Sequence, residues 1–186
     1  MEKNGLRERI RAERLALSGN EVASSSGEIT KNVLHIEQLR SAKMVAAYLP
    51  FANEVDTRQI IGWLWRLGKE VCVPVVSKTG MRFAKITAKT IMKTNSAGIP
   101  QPTSKKFVQP KAIGAFLVPG VAFSRDGHRI GTGKGFYDKF FNSHKLRAPK
   151  IGLAYGFQIV ERIMSEGHDV AMDFVVTENG VIKSTK

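Results

Sequence analysis

The chain has 186 residues, 42% hydrophobic and 24% charged, which are ordinary proportions for a soluble globular protein and length enough for one core in a single domain, residues 1–186. No apolar run reaches membrane-spanning length, and the charged start from Glu2, with Glu8 and Glu13 among the basic residues, is unlike a signal or transit peptide. The lone Cys72 excludes an internal disulfide and suits a reducing cytoplasm, while a net charge of +13 points to anionic partners.

In chain order, Glu2 to Leu17 reads as a helix with Leu6, Ile10 and Leu17 on one apolar side. Ser18-Gly19-Asn20-Glu21 has the form of a capping box and predicts a second helix to about Leu39. Met44 to Leu49 is a strand ended by Pro50. Asp56 or Thr57 caps a helix carrying Ile60, Ile61, Leu64, Trp65 and Leu67, stopped by Gly68. Val71 to Val76 is a strand whose Pro74 suggests an edge or a bulge, and Cys72 inside it is a core residue. Met81 to Ile86 alternates as a strand; Gly98 to Pro110, with three prolines, is a loop. Ala112 to Val118, Lys150 to Tyr155 and Met172 to Val176 are further strands, and a helix opens at Phe136.

Strands alternating with helices predict an α/β fold: a mostly parallel twisted sheet with helices on both faces, a Rossmann-like three-layer sandwich. Ligands then bind beyond the carboxyl ends of strands, which selects the loops after Leu49, after Val118 and after Tyr155. His35, His128, His144 and His168 are scattered without metal-ligand spacing, so a zinc site is not expected.

Gly127 to Asp138 is the most informative segment. Gly131, Gly133 and Gly135 alternate, Arg129 and Lys134 add positive charge, and Asp138 closes the run in the first turn of the predicted helix. Glycine lets a backbone approach an anion closely, and amides at a helix start can face it. Lys134 is followed by Gly135, not Ser or Thr, so this is not a P-loop; Phe136 breaks the dinucleotide fingerprint. A nucleotide-phosphate site with Asp138 beside a Mg²⁺ is the reading favoured over a glycine-rich surface turn. Seven cations between Arg125 and Lys150, against Asp126 and Asp138, gather positive field around the loop. The charge also raises a nucleic-acid alternative, but no helix-turn-helix, finger or RNA-binding sheet signature accompanies it. A kinase acting on another small acid is a third alternative.

Val118-Pro119-Gly120-Val121-Ala122-Phe123 with Gly127 to Asp138 resembles the signature of the 5-formyltetrahydrofolate cyclo-ligase family. Lys3 and Arg7 resemble its N-terminal basic pair, Tyr48-Leu49 and Asn53 to Thr57 its folate-side segment, and Ile99 to Pro102 its proline loop. Gly152 to Tyr155 and the stretch from His168 to Glu178 resemble its closing segments, so the likeness spans nearly the whole chain. The resemblance implies an ATP- and Mg²⁺-dependent enzyme converting 5-formyltetrahydrofolate, whose tail can be polyglutamate, to 5,10-methenyltetrahydrofolate, with release of ADP and phosphate. It implies Arg129, Lys134 and Tyr137 as catalytic, and Lys3, Arg7 and Arg129 through Tyr137 (Ile130, Gly131, Thr132, Gly133, Lys134, Gly135 and Phe136 included) as the ATP site. It further implies Leu49, Glu54 and Thr132 to Phe136 as the folate site, and Asp138 and Asp173 as Mg²⁺ ligands. A cytoplasmic monomer without nucleic-acid or membrane partners is expected. Phe136 stands where the family usually has Tyr, and Ala97 where some members have an aromatic. From spacing alone, Lys3 and Arg7 also fit a solvated helix face, Glu54 a helix N-terminus, and Asp173 a turn.

Overall fold

The computed structural model describes residues 3–95 and 98–185. Helix α1 (Lys3–Ala16) buries Leu6, Ile10 and Arg14, a stripe at i, i+4 and i+8. Helix α2 (Gly19–Val33) begins at the capping box as expected: the Glu21 amide donates to Ser18 Oγ, and the Ser18 amide to Glu21 Oε2 at 2.8 Å. It ends at Val33, short of Leu39. A turn through Ile36 and a separate short helix α3 (Glu37–Ser41) follow, which lets Ile36 and Leu39 enter the same apolar cluster as Ile29 and Val33.

Strand β1 (Met44–Ala46) stops earlier than expected. After Ala47 donates to the Cys72 carbonyl, the chain turns across the sheet end, held by Thr57 Oγ1 donating to the Tyr48 carbonyl and Tyr48 donating to that of Val55. Helix α4 (Arg58–Arg66) buries Ile60, Ile61 and Leu64 and leaves Leu67 exposed. Asp56 accepts from the Arg58 amide, whereas Thr57 makes no cap bond. Gly68, at φ +70°, ends the helix.

Strands β2 (Glu70–Ser77) and β3 (Gly80–Ile86) form an antiparallel hairpin with unbroken register, so Pro74 marks no bulge; past the end of β1 its other side is a local edge. The Phe83 carbonyl, opposite Pro74, accepts from Val108 on the far side. The Pro74 nitrogen therefore faces the β1 side, beyond the end of β1, where no donor is needed. The expected loop from Gly98 to Pro110 contains a strand, β5 (Pro100–Pro102), paired with β4 (Met92–Thr94).

Strand β6 (Ala115–Val118) is shorter than expected and does not lead directly into the glycine loop. A small hairpin of β7 (Ala122–Ser124) and β8 (Arg129–Ile130) intervenes. Helix α5 (Phe136–His144) follows the loop, then β9 (Lys150–Leu153), β10 (Ile159–Val160) beside β7, β11 (Phe174–Thr177) and β12 (Gly180–Lys183), a strand that sequence patterning missed.

The main sheet has the order β12-β11-β9-β6-β1-β2-β3, with parallel pairing from β11 through β2 and one antiparallel strand at each side. Helices α2, α3 and α4 cover one face through a cluster including Ile29, Leu39, Ile60 and Leu64. Helix α5 covers the other through edge-to-face aromatics, with Phe83–Phe140 centroids at 5.0 Å and Phe116–Phe141 at 5.1 Å. Each such buried ring contributes about 1.5–3 kcal/mol, enough to fix where α5, and hence the loop before it, can lie. Cys72 is fully buried and its thiol is pushed up to about 12 by burial, which suits the core role expected of it.

Candidate active site

The glycine loop runs between two fixed points. The Ile130 carbonyl accepts from Val121 at 2.7 Å, and α5 is anchored by its aromatic face. Between them Gly133 and Gly135 take φ values of +100° and +64°, conformations that a side chain strains. Gly135 is the last residue before α5, whose first amides lack intrahelical acceptors. Arg129 Nη2 donates to Asp138 Oδ1 at 2.8 Å, and the same oxygen accepts from the Val170 amide at 3.2 Å. The Arg129 guanidinium also lies 5.6 Å from the Tyr137 ring centroid. Arg129 Nε and the Tyr137 hydroxyl are buried without partners among the described residues. Lys134 is exposed and makes no ion pair among the described residues.

Helix α1 lies along this loop. Arg7 Nε donates to the Gly131 carbonyl at 3.0 Å and Arg11 Nη2 to that of Thr132 at 3.4 Å. Lys3 pairs with Glu166 at 2.8 Å and Asp169 at 3.5 Å. Its hydrogen bond to Glu166 raises the Lys3 pKa, opposed by desolvation and aided by the charges of Asp169 and Glu166. Lys3, Arg7 and Arg11, four residues apart, share one helix face, and that face is turned to the cleft.

The other half of the site is built on the loop after β1. Ala52 and Asn53 both have positive φ without being glycine (50° and 55°). Asn53 Nδ2 stabilises this bend by donating to the Arg14 and Leu17 carbonyls at the end of α1. Glu54 follows directly. Burial raises its carboxyl pKa, while Arg14, at 3.9 Å, and a hydrogen bond from the Phe51 amide pull it back down.

These parts line one cleft of about 580 Å³. Its lining includes the cations Lys3, Arg7, Arg11, Arg129 and Lys134, the carboxylate of Glu54, and the apolar Leu49, Phe51, Pro74, Val76, Met81 and Ile99. Lys3, Arg7, Leu49, Glu54 and the entire run from Arg129 to Asp138, Phe136 and Tyr137 included, fall in the lining; Asp173 does not. Asp173 Oδ2 accepts from the Lys150 amide at 2.8 Å, at the amino ends of β9 and β11, away from the carboxyl ends that the cleft occupies. Among the described residues no group of three or more His, Cys, Asp or Glu is gathered to hold a metal unaided. Asp138 uses only Oδ1 in its contacts, so its second oxygen fits a cation carried in on phosphates.

The loop after Tyr155 is absent from the lining. Its place is taken by Glu166, His168 and Asp169, which sequence reasoning assigned no role. Nothing local marks these three, since a turn folded at Glu166–Asp169 and tied to Asn142 and Lys3 brings them in. Arg11 was legible in principle, one turn beyond Arg7. Ala97 lies outside the described residues.

The model of the 5-formyltetrahydrofolate cyclo-ligase family matches residues 1–178. The chain is 32% identical over 170 residues to the 5-formyltetrahydrofolate cyclo-ligase of Haemophilus influenzae, covering 88% of this chain and 89% of that protein. The solved structure of Aquifex aeolicus 5,10-methenyltetrahydrofolate synthetase matches with a TM-score of 0.87 at 30% identity, covering 100% of this chain and 94% of that one. A Mycoplasma pneumoniae 5,10-methenyltetrahydrofolate synthetase matches with a TM-score of 0.80 at 28% identity, covering 96% and 99%. The chain belongs to the 5-formyltetrahydrofolate cyclo-ligase family and is a ligase.

Proposed function

We propose that this enzyme closes 5-formyltetrahydrofolate to 5,10-methenyltetrahydrofolate at the expense of ATP, with Mg²⁺ bound to the nucleotide. One observation carries the proposal: a single cleft is lined by a cationic glycine loop, by the carboxylate of Glu54 and by apolar side chains including Leu49, Phe51 and Ile99. A triphosphate and a planar heterocycle have those complementary needs.

The formyl oxygen is a poor leaving group until the γ-phosphoryl group is transferred to it, releasing ADP. N10 then attacks the activated carbon, the ring closes, and phosphate departs with the former formyl oxygen. Arg129 and Lys134 counter phosphate charge, with Lys3, Arg7 and Arg11 contributing from α1. The unpartnered Tyr137 hydroxyl supplies a donor inside the cleft. Glu54 accepts from the ring N–H and amino groups of the pterin, while Leu49 and Phe51 pack on its face. Asp138 is the residue placed to meet Mg²⁺, which supplies charge neutralisation on the phosphates. Residues 1–186 act as one domain, in the cytoplasm that the reduced, buried Cys72 suits.

The test is to mix purified protein with 5-formyltetrahydrofolate, ATP and MgCl₂, and to follow methenyl product and ADP together. Equal amounts of both are expected, dependent on all three additions. ADP without methenyl product, or neither, overturns the proposal.

A further inference from the structure

Arg14 is the residue of α1 whose burial is hardest to explain by packing. It occupies the third position of the inward stripe after Leu6 and Ile10 and is 6% exposed. Its Nε has no partner among the described residues, and the carboxylate it faces, Glu54, is 3.9 Å away. An arginine retained only to hold the fold together would be saturated with hydrogen bonds, because desolvating a guanidinium costs several kcal/mol. Arg14 does not line the cleft; Glu54 does. The guanidinium therefore stands behind the carboxylate, as seen from the substrate.

The surroundings of Glu54 make this cation decisive. Burial raises the pKa of the hydroxyls of Tyr48, just after β1, and Tyr137, from α5, and the nearby Glu54 charge raises both further. Tyr48 is committed to the Val55 carbonyl, and the Phe51 amide donates to Glu54 Oε2 at 3.2 Å. Arg14 is the one cation acting on Glu54 among the described residues. A side-chain contact ties the pair together: Asn53 Nδ2, next to Glu54, donates to the Arg14 carbonyl at 3.3 Å.

We propose that Arg14 is a positioning residue that keeps Glu54 ionised and aimed into the pterin half of the cleft. Helix α1 then serves both substrates, with Lys3, Arg7 and Arg11 on the nucleotide and Arg14, about 16 Å along the axis from Lys3, acting on the folate through Glu54. This inference rests on the assignment of Glu54 to the folate.

The experiment pairs two measurements on Arg14→Met, which keeps the side-chain length without the charge. Carbon-13 NMR of labelled glutamate in the ligand-free protein should show the Glu54 midpoint raised by about one pH unit or more. At pH values below both midpoints the KM for 5-formyltetrahydrofolate should rise roughly tenfold, its acid limb moving to higher pH with the midpoint, while the KM for ATP stays within about twofold. Arg14→Lys should restore most of both effects. In a Glu54→Gln background, which has no charge to hold and no buried carboxylate to strand, Arg14→Met should change the folate KM by less than about twofold. Equal losses in both backgrounds would mean a purely structural Arg14 and overturn the proposal, as would an unmoved Glu54 midpoint, which leaves Glu54 itself assigned to the folate. A moved midpoint with unchanged folate KM overturns the assignment of Glu54 and the role of Arg14 with it.

Discussion

Arg129 and Asp138 close the two ends of the glycine loop on each other, Nη2 to Oδ1 at 2.8 Å, with side chains only 5% and 13% exposed. A charge pair so shielded holds the loop in place, and its arginine cannot be removed without stranding the aspartate.

Arg129→Ala and Lys134→Ala should therefore differ. Both should weaken ATP use at least ~10-fold, since a charge-assisted contact contributes about 1.5–3 kcal/mol. Only Arg129→Ala should also lower stability, by about 1–3 kcal/mol, because Asp138 then keeps only the Val170 amide as a partner among the described residues. Steady-state kinetics and melting curves of the two variants separate the roles; an Arg129→Ala protein as stable as Lys134→Ala contradicts the closure.

With Glu54 assigned to the folate as proposed, folate binding should depend on pH. Burial raises its carboxyl pKa above the ordinary value of about 4.3. As pH falls through that raised midpoint the carboxylate gains a proton and stops accepting from the pterin, so the folate KM should rise. The stability effect has the opposite sign: the contribution of a raised carboxyl is complete below its unfolded pKa and is lost as pH rises through the folded one. Glu54→Gln should raise folate KM at neutral pH, flatten the acid limb and spare ATP affinity. A KM profile that keeps its limb in this variant assigns the titration elsewhere.

The capping box at Ser18 sets the start of α2. Ser18→Ala should cost about 1 kcal/mol, read as a lowered midpoint in urea with an unchanged slope. Hydrogen bonds from the Ser18 side chain and amide lower the Glu21 pKa, so its stabilising effect is present above the ordinary carboxyl pKa and fades as pH falls through the lowered one. The gap between wild type and variant should narrow over that range; a gap constant with pH would show that Glu21 takes no part.

Phe123 is fully buried between Gly120 and Gly152. A Cβ on either glycine would sit 2.5 Å from the ring. Gly152→Ala should destabilise by about 1–3 kcal/mol, and because Gly120 lines the cleft, the displaced ring should also lower activity. Unchanged melting would show that the ring has room to move.

Much of the site was legible because the chemistry is local. The alternation of Gly131, Gly133 and Gly135, the flanking Arg129 and Lys134 and the helix after them are contiguous, and the structure finds them together on one wall. The same holds for α1, where Lys3 and Arg7 follow the helical repeat. Boundaries were less legible. The break at Ile36, the early end of β1 and the β7–β8 hairpin before the glycine loop have no strong local signal; each is set by which core an apolar side chain can reach.

The sequence by itself determined the alternation of strands and helices, the capping box and the glycine-rich, cationic character of the segment before α5, because these depend on side-chain periodicity and backbone freedom within a few residues. Only the tertiary structure decided that Asp173 sits at the far end of the strands from Asp138, that Glu166, His168 and Asp169 enter the cleft, and that Arg14 stands behind Glu54. Those relations join residues dozens of positions apart, and the packing of helices on the sheet, rather than any local preference, brings them together.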